Sequence, residues 1–268
     1  MVINTNMAAI NSATNLDNST SELNNALSQL SSGSKIVTPA DDPAGLAESI
    51  SLTASIGQTS AANSNVSNAL SFSQTQDGYL QQVGSALDQM ATLAVEAQDP
   101  TKSTSEIADY QSEFSALSAY INNAATANFN GVSLFSSSGL TVTTDGSGTS
   151  NSTFAMTAVN LSASQYSSLS SQSVTSSATA ALTAVTAAIT QLATDRASIG
   201  ANEERLTYAG NQLGVLSDNL TAANSNLMDV DVATESTKYA EYQILVQSGT
   251  SMLAQANQNP QSVLKLLQ

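Results

Sequence analysis

The 268-residue sequence contains no histidine, no cysteine and no tryptophan. Without histidine, it cannot form a Ser-His-Asp or Cys-His catalytic group or an imidazole metal site. Without cysteine, it cannot form a disulfide, a thiolate zinc site or a thiol nucleophile. We therefore expect that the protein is not an enzyme, and nothing in the sequence implies a cofactor.

Basic residues are also scarce, since six lysines and arginines stand against 21 aspartates and glutamates, for a net charge of −15. Binding to the phosphates of nucleic acid needs a basic patch, whereas these six bases are scattered along the chain. No apolar run approaches the roughly 20 residues that a transmembrane helix requires. The sequence therefore predicts neither a nucleic-acid partner nor a membrane partner.

What the chain does contain is a regular apolar stripe at each end. The stripes follow helical spacings of three and four residues, within about 5–33 and about 232–267. Such a stripe is a seam for another helix, either in a self-contained bundle or, as we expect, between chains that assemble. The predicted assembly seam comprises Leu16, Leu23, Leu27, Leu30, Tyr242, Val246, Leu253, Leu264 and Leu267.

The middle of the chain has three further helical patterns and one change of period. Asp42 is a good helix cap, and Pro43 suits the first position of the long helix that follows. Helices are also predicted from residue 103 and from residue 182. Strict alternation over about 139–160 indicates a β-hairpin with a long loop. Residues 162–178 are rich in serine and indicate an exposed loop, which is also suited to O-linked glycans.

Together these patterns predict a mainly α fold, namely a long-helix bundle with a small β-hairpin plus paired N- and C-terminal coiled-coil helices. The terminal helices would form a discontinuous core domain of residues 1–42 and 228–268. Residues 43–227 would form a helical rod domain that carries the hairpin.

Several short strings stand out along the chain, at residues 2–6, 30–36, 40–47, 128–135, 199–206, 229–235 and 252–260. In this order and spacing they closely resemble bacterial flagellin, and the resemblance covers about 1–135 and 180–268. Because little sequence separates Phe135 from Leu182, the chain resembles a minimal flagellin without outer domains.

The resemblance implies a structural subunit that self-assembles into the extracellular flagellar filament for motility. It implies copies of the chain itself as the main partner, together with an export chaperone and cap or junction proteins. Residues 1–6 lack the basic flank and apolar segment of a signal peptide, so we expect secretion without a cleaved signal. The alternative is a hook–filament junction protein, which has similar ends.

The resemblance also implies a receptor-contact region at Leu87, Gln89 and Leu93. Gln89 stands where receptor-activating flagellins carry arginine. An arginine supplies charge-assisted hydrogen bonds that glutamine cannot. We therefore expect weak recognition by the vertebrate toll-like receptor for flagellin.

Overall fold

The computed structural model describes residues 5–145 and 153–266, with side chains described up to residue 258. Most of the described chain is helical, and the expected mainly α class is confirmed. The helices are α1 (Met7–Ser32), α2 (Pro43–Glu96), α3 (Thr104–Ala124), the short α4 (Ser164–Ser167), a 3₁₀ helix (Ser168–Ser171), α5 (Val174–Met228) and α6 (Val232–Leu266).

Four short strands form two antiparallel pairs. β1 (Asn128–Phe129) pairs with β2 (Val132–Ser133), and β3 (Thr141–Thr143) pairs with β4 (Thr153–Ala155). The second pair confirms the predicted β-hairpin, although its loop at 146–152 lies outside the described residues. The first pair turns through Asn130 and Gly131, whose positive φ values of 51° and 81° suit a tight hairpin turn.

The chain divides into two compact units. The terminal unit comprises residues 1–55 and 219–268, and the central unit comprises residues 56–218. The division therefore falls inside α2 and α5, which contribute to both units. The domain boundaries expected from the sequence, at 42/43 and 227/228, remain a prediction.

The central unit has an extensive apolar core, because α2, α3 and α5 each carry buried residues at helical spacing. One apolar stripe along α2 is fully buried. Its members are Leu80, Val83, Leu87, Met90 and Ala94. Phe114 and Ile121 of α3 and Ile199 and Leu206 of α5 belong to the same core. This amount of burial is what lets a unit fold on its own.

The serine-rich segment 162–178 is not the exposed loop that its composition predicted. It forms α4, the 3₁₀ helix and the beginning of α5, and it buries Tyr166, Leu169 and Val174. Just before this segment, Asn202 of α5 forms two hydrogen bonds with the backbone of Thr157, at 3.2 and 3.3 Å. The prediction was wrong because a few large apolar residues bury the segment despite its many serines.

A buried polar pair joins this segment to α5. The Tyr166 hydroxyl donates to Asp195 Oδ2 at 2.7 Å, and Gln191 Nε2 donates to Asp195 Oδ1 at 2.9 Å. Burial is the main cause that raises the pKa of Tyr166, with the bond to Asp195 adding to it. The hydroxyl therefore stays protonated at neutral pH and continues to donate its hydrogen bond to the buried Asp195.

We expect Tyr166→Phe to lower the free energy of unfolding of the central unit by about 1–2 kcal/mol, because the buried carboxyl group of Asp195 loses one donor. Urea unfolding followed by circular dichroism measures this. Tyr120→Phe is the matched control, since Tyr120 is exposed, and it should leave the unfolding curve unchanged. Equal stability of both variants would show that the Tyr166–Asp195 contact does not anchor the segment.

Candidate assembly surface

Helices α1 and α6 form an antiparallel pair within the terminal unit. Near the start of α1, Asn6 Nδ2 donates to the carbonyl oxygen of Ala256, close to the end of α6, at 2.8 Å. Further along, Leu16 packs against Gly249. A Cβ atom added to Gly249 would lie 3.2 Å from Leu16 Cδ1, so the glycine permits a close approach of the two helices.

Most predicted seam residues with described side chains are partly buried in this pair. They are Leu16, Leu23, Leu30, Tyr242, Val246 and Leu253. Leu27 differs, because 51% of it is exposed and Ala26, with 2% exposed, takes its place in the pair. The side chain of Leu264 and all of Leu267 lie outside the described residues. Whether these positions contact another subunit remains a proposal.

A second set of large apolar side chains on α1 and α6 is exposed to between 43% and 67%. A single exposed apolar residue is ordinary, but these lie on two helices of a unit that buries little. In its described part, the buried apolar residues are Ala26, Ile36 and Ala256. The exposed set is Met7, Ile10, Leu27, Val232, Ile244, Leu245 and Met252.

The chain leaving α1 is hydrogen-bonded to the chain entering α6. Gly33 ends α1 in the left-handed region, with φ 72°. Its carbonyl oxygen accepts from the backbone N–H of Val230 at 3.0 Å. Ser34 and Asp229 then form an antiparallel bridge. The segment that follows α1 and the segment that precedes α6 are therefore joined to each other by backbone hydrogen bonds.

Two aspartates organise the start of α2. Asp42 Oδ1 accepts hydrogen bonds from the backbone N–H groups of Ala44 (3.1 Å) and Gly45 (3.0 Å), and Pro43 is the first helical residue. Asp41 Oδ2 accepts from the backbone N–H groups of Thr38 and Val37. The backbone bond from Thr38 is the largest cause that lowers the pKa of Asp41. Both carboxylates thus bind backbone donors.

The three residues of the expected receptor-contact region differ in exposure. Leu87 and Leu93 are buried in the core of the central unit, with 0% and 3% exposed. Gln89 is exposed and donates from Nε2 to Glu113 Oε1 at 3.0 Å. Contact of this region with a receptor remains a prediction.

Sequence reasoning missed the role of Gly45. This residue is buried under the Asp42 cap, where an added Cβ atom would lie 2.5 Å from Asp42 Oδ2 and 2.9 Å from Ile36 Cδ1. The nearby Ile36 is itself buried. The sequence shows only a glycine three residues after the Asp42 cap, and the contact with Ile36 appears only in the fold.

Gly45→Ala should lower the melting temperature, because the cap or Ile36 must move and losing such a cap costs about 1 kcal/mol. Gly57→Ala, in the same helix, is the matched control. Nothing lies within 4 Å of its added Cβ atom, so it should raise stability by roughly 0.5–1 kcal/mol. Thermal melts by circular dichroism compare them. Stabilisation by both changes would contradict the crowding at Gly45.

Comparison with known proteins identifies this arrangement. The family model for the bacterial flagellin N-terminal helical region matches residues 3–140, and the model for the C-terminal helical region matches residues 182–267. None of the helices in the described residues is both long and apolar enough to cross a membrane.

Full-length relatives agree with the family models. The chain is 35% identical to flagellin FlaB2 of Treponema pallidum, 34% to a flagellin of Halalkalibacterium halodurans and 33% to the flagellar filament 33 kDa core protein of Treponema phagedenis. Each alignment covers 100% of both chains. These names favour a filament subunit over a junction protein. The chain therefore belongs to the bacterial flagellin family, and it is a structural subunit of the extracellular flagellar filament rather than an enzyme.

Proposed function

We propose that the chain polymerises by covering the exposed apolar faces of α1 and α6 with the same helices of neighbouring copies. The observation that carries this proposal is how few large apolar side chains the terminal unit buries compared with the number it exposes. In the described part of the terminal unit, Ile36 is the one large apolar side chain that is buried. The central unit buries an extensive apolar core, although it also exposes residues such as Tyr208 and Val215. The discontinuous terminal helical domain, 1–42 with 228–268, would then be the part of the flagellin that assembles.

The size of the exposed apolar faces supports this route. Full burial of a leucine, isoleucine or methionine contributes about 1.5–3 kcal/mol, so a side chain that is already half-buried adds about half of that. Several such side chains on each helix, repeated on every neighbour, can exceed the entropy cost of association. A filament gives each subunit several neighbours, so it can cover faces that point in different directions.

The same exposed faces require protection before assembly. Large uncovered apolar surfaces promote uncontrolled association. An export chaperone would shield α1 and α6, and cap or junction proteins would receive them at the ends of the filament. We propose that the chain is shielded in this way until it leaves the cell, and that it leaves without a cleaved signal peptide.

Recognition by the toll-like receptor for flagellin should be weak. The exposed Gln89 offers no positive charge, and its amide is engaged by Glu113. Of the three expected contact residues, Gln89 is exposed, whereas Leu87 and Leu93 are buried.

Leu27→Asp should abolish filament formation while the free subunit keeps its helical content. The added charge is solvated in the free chain but becomes buried and unpaired in the polymer, which costs several kcal/mol. Leu253→Asp should also weaken the α1–α6 pair, because Leu253 is partly buried there. Sedimentation and electron microscopy measure the filaments.

Asn65→Asp is the matched control for Leu27→Asp. It adds one charge at an exposed position of the central unit with hardly any change in size, so it should polymerise normally. Normal filaments from Leu27→Asp would show that this face of α1 remains in solvent.

Removing residues 1–33 or residues 232–268 should leave a folded subunit that does not polymerise. The core of the central unit lies outside both segments, so its urea transition should persist. Limited proteolysis of the intact subunit should likewise leave a resistant fragment near 45–225. Filaments assembled from either truncated chain would contradict the proposed role of the terminal helices.

A further inference from the structure

A polar cleft lies beside the helix pair of the terminal unit. Its volume is about 310 Å³, which is the space of about ten water molecules at about 30 Å³ each. Residues of α1, of the loop before α2 and of α6 line it, including Glu22, Gln29, Asp41, Glu235 and Lys238. The cleft is thus large enough for an incoming side chain.

Acidic groups outnumber basic groups in the cleft. Glu235 is 8% exposed as a side chain, and its Oε2 lies 2.9 Å from Lys238 Nζ. Asp41 is engaged by the backbone of Val37 and Thr38. Glu22 is exposed, and within the described part of the chain it forms no ion pair. Among the described acids of the cleft, Glu22 is therefore one without an ion pair, although it lies close enough to Lys238 to help raise the pKa of that ammonium group, after the larger effect of Glu235.

Four of the six bases are already engaged within the subunit. Lys102, Arg196 and Lys238 pair with acids, and the guanidinium of Arg205 lies 4.0 Å from the centre of the Phe154 ring. The side chain of Lys265 is not described. Among the bases with described side chains, this leaves the exposed Lys35 with no ion pair and no ring contact.

We propose that Lys35 of one copy enters this cleft of a neighbouring copy and pairs there with Glu22. The inference rests on the proposed polymerisation through the terminal helices. Each subunit carries a net charge of −15, so packing copies together brings acids close to one another. A homopolymer can neutralise a cleft only with its own bases or with small cations from solution.

The chemistry of lysine suits this contact. Its ammonium group is a compact charge with three donors on a flexible four-carbon stem, so it can adapt its position to the carboxylate of Glu22. The cleft is lined by the same helices that carry the proposed assembly faces. Charge complementarity at such a place fixes the register of neighbouring copies more than it adds affinity.

Charge reversal in two separate chains tests the contact. Lys35→Glu alone places two carboxylates opposite each other at the contact, and Glu22→Lys alone places two ammonium groups opposite each other. Each variant by itself should raise the critical concentration for polymerisation at least about tenfold, because like charges directly opposed are strongly unfavourable. An equimolar mixture of the two chains should restore filaments, since every contact between unlike chains then joins opposite charges.

The mixture distinguishes a contact between copies from one within a copy. A contact within one chain would leave each variant defective even in the mixture. Glu241→Lys is the control, because Glu241 is exposed on α6 outside the cleft, and mixing it with Lys35→Glu should restore nothing. Circular dichroism of each subunit verifies that its helical content is unchanged.

Three results would overturn the inference. Normal polymerisation of Lys35→Glu would show that this lysine lies outside the interface. Failure of the mixture would show that the defect lies within one copy. Polymerisation of the parent chain that stops in chelator and resumes with calcium, while Lys35→Glu behaves like the parent, would assign the cleft to a metal cation. A parent chain that forms no filaments at all would instead contradict the proposed function.

Discussion

The terminal unit depends on one constraint, which is that a pair of helices has too little apolar surface to bury between its members. The seam of α1 and α6 is built from small or partly buried residues, such as Ala26, Gly249 and Ala256. A helix gains most of its stability from packing. In the proposed assembly, much of the packing that these two helices need comes from other chains, so that assembly becomes part of their folding.

The other features of the chain separate a central unit that packs its own core from a terminal unit that does not. The central unit folds around its own core of Leu80, Phe114 and Ile199, and it also buries the serine-rich segment through Tyr166. In the terminal unit, backbone hydrogen bonds between Gly33 and Val230 and the Asp42 cap fix where the helices begin and end. They set the starting geometry, and they leave large apolar faces uncovered.

Sequence reasoning predicted the helices because their periodicity persists over many turns and their ends carry strong signals, such as Gly33 and Asp42. Leu27 was predicted as part of the assembly seam. It is exposed beside the buried Ala26, because the close approach of α1 and α6 favours the smaller residue between them. Sequence reasoning missed the packing of 162–178, because a few buried residues such as Tyr166 are enough to pack a mostly polar segment against the core. It missed the crowding at Gly45, since this depends on the tertiary position of Ile36.

Amide hydrogen exchange, measured on the free subunit and on the filament, tests the central claim most directly. We expect the backbone amides of α1 and α6 to exchange rapidly in the free subunit and to become strongly protected in the filament. Amides of the core stretch of α2 near Leu87 should be protected in both states. Equal protection of α1 and α6 before and after polymerisation would show that the helix pair is stable by itself, and it would contradict the account.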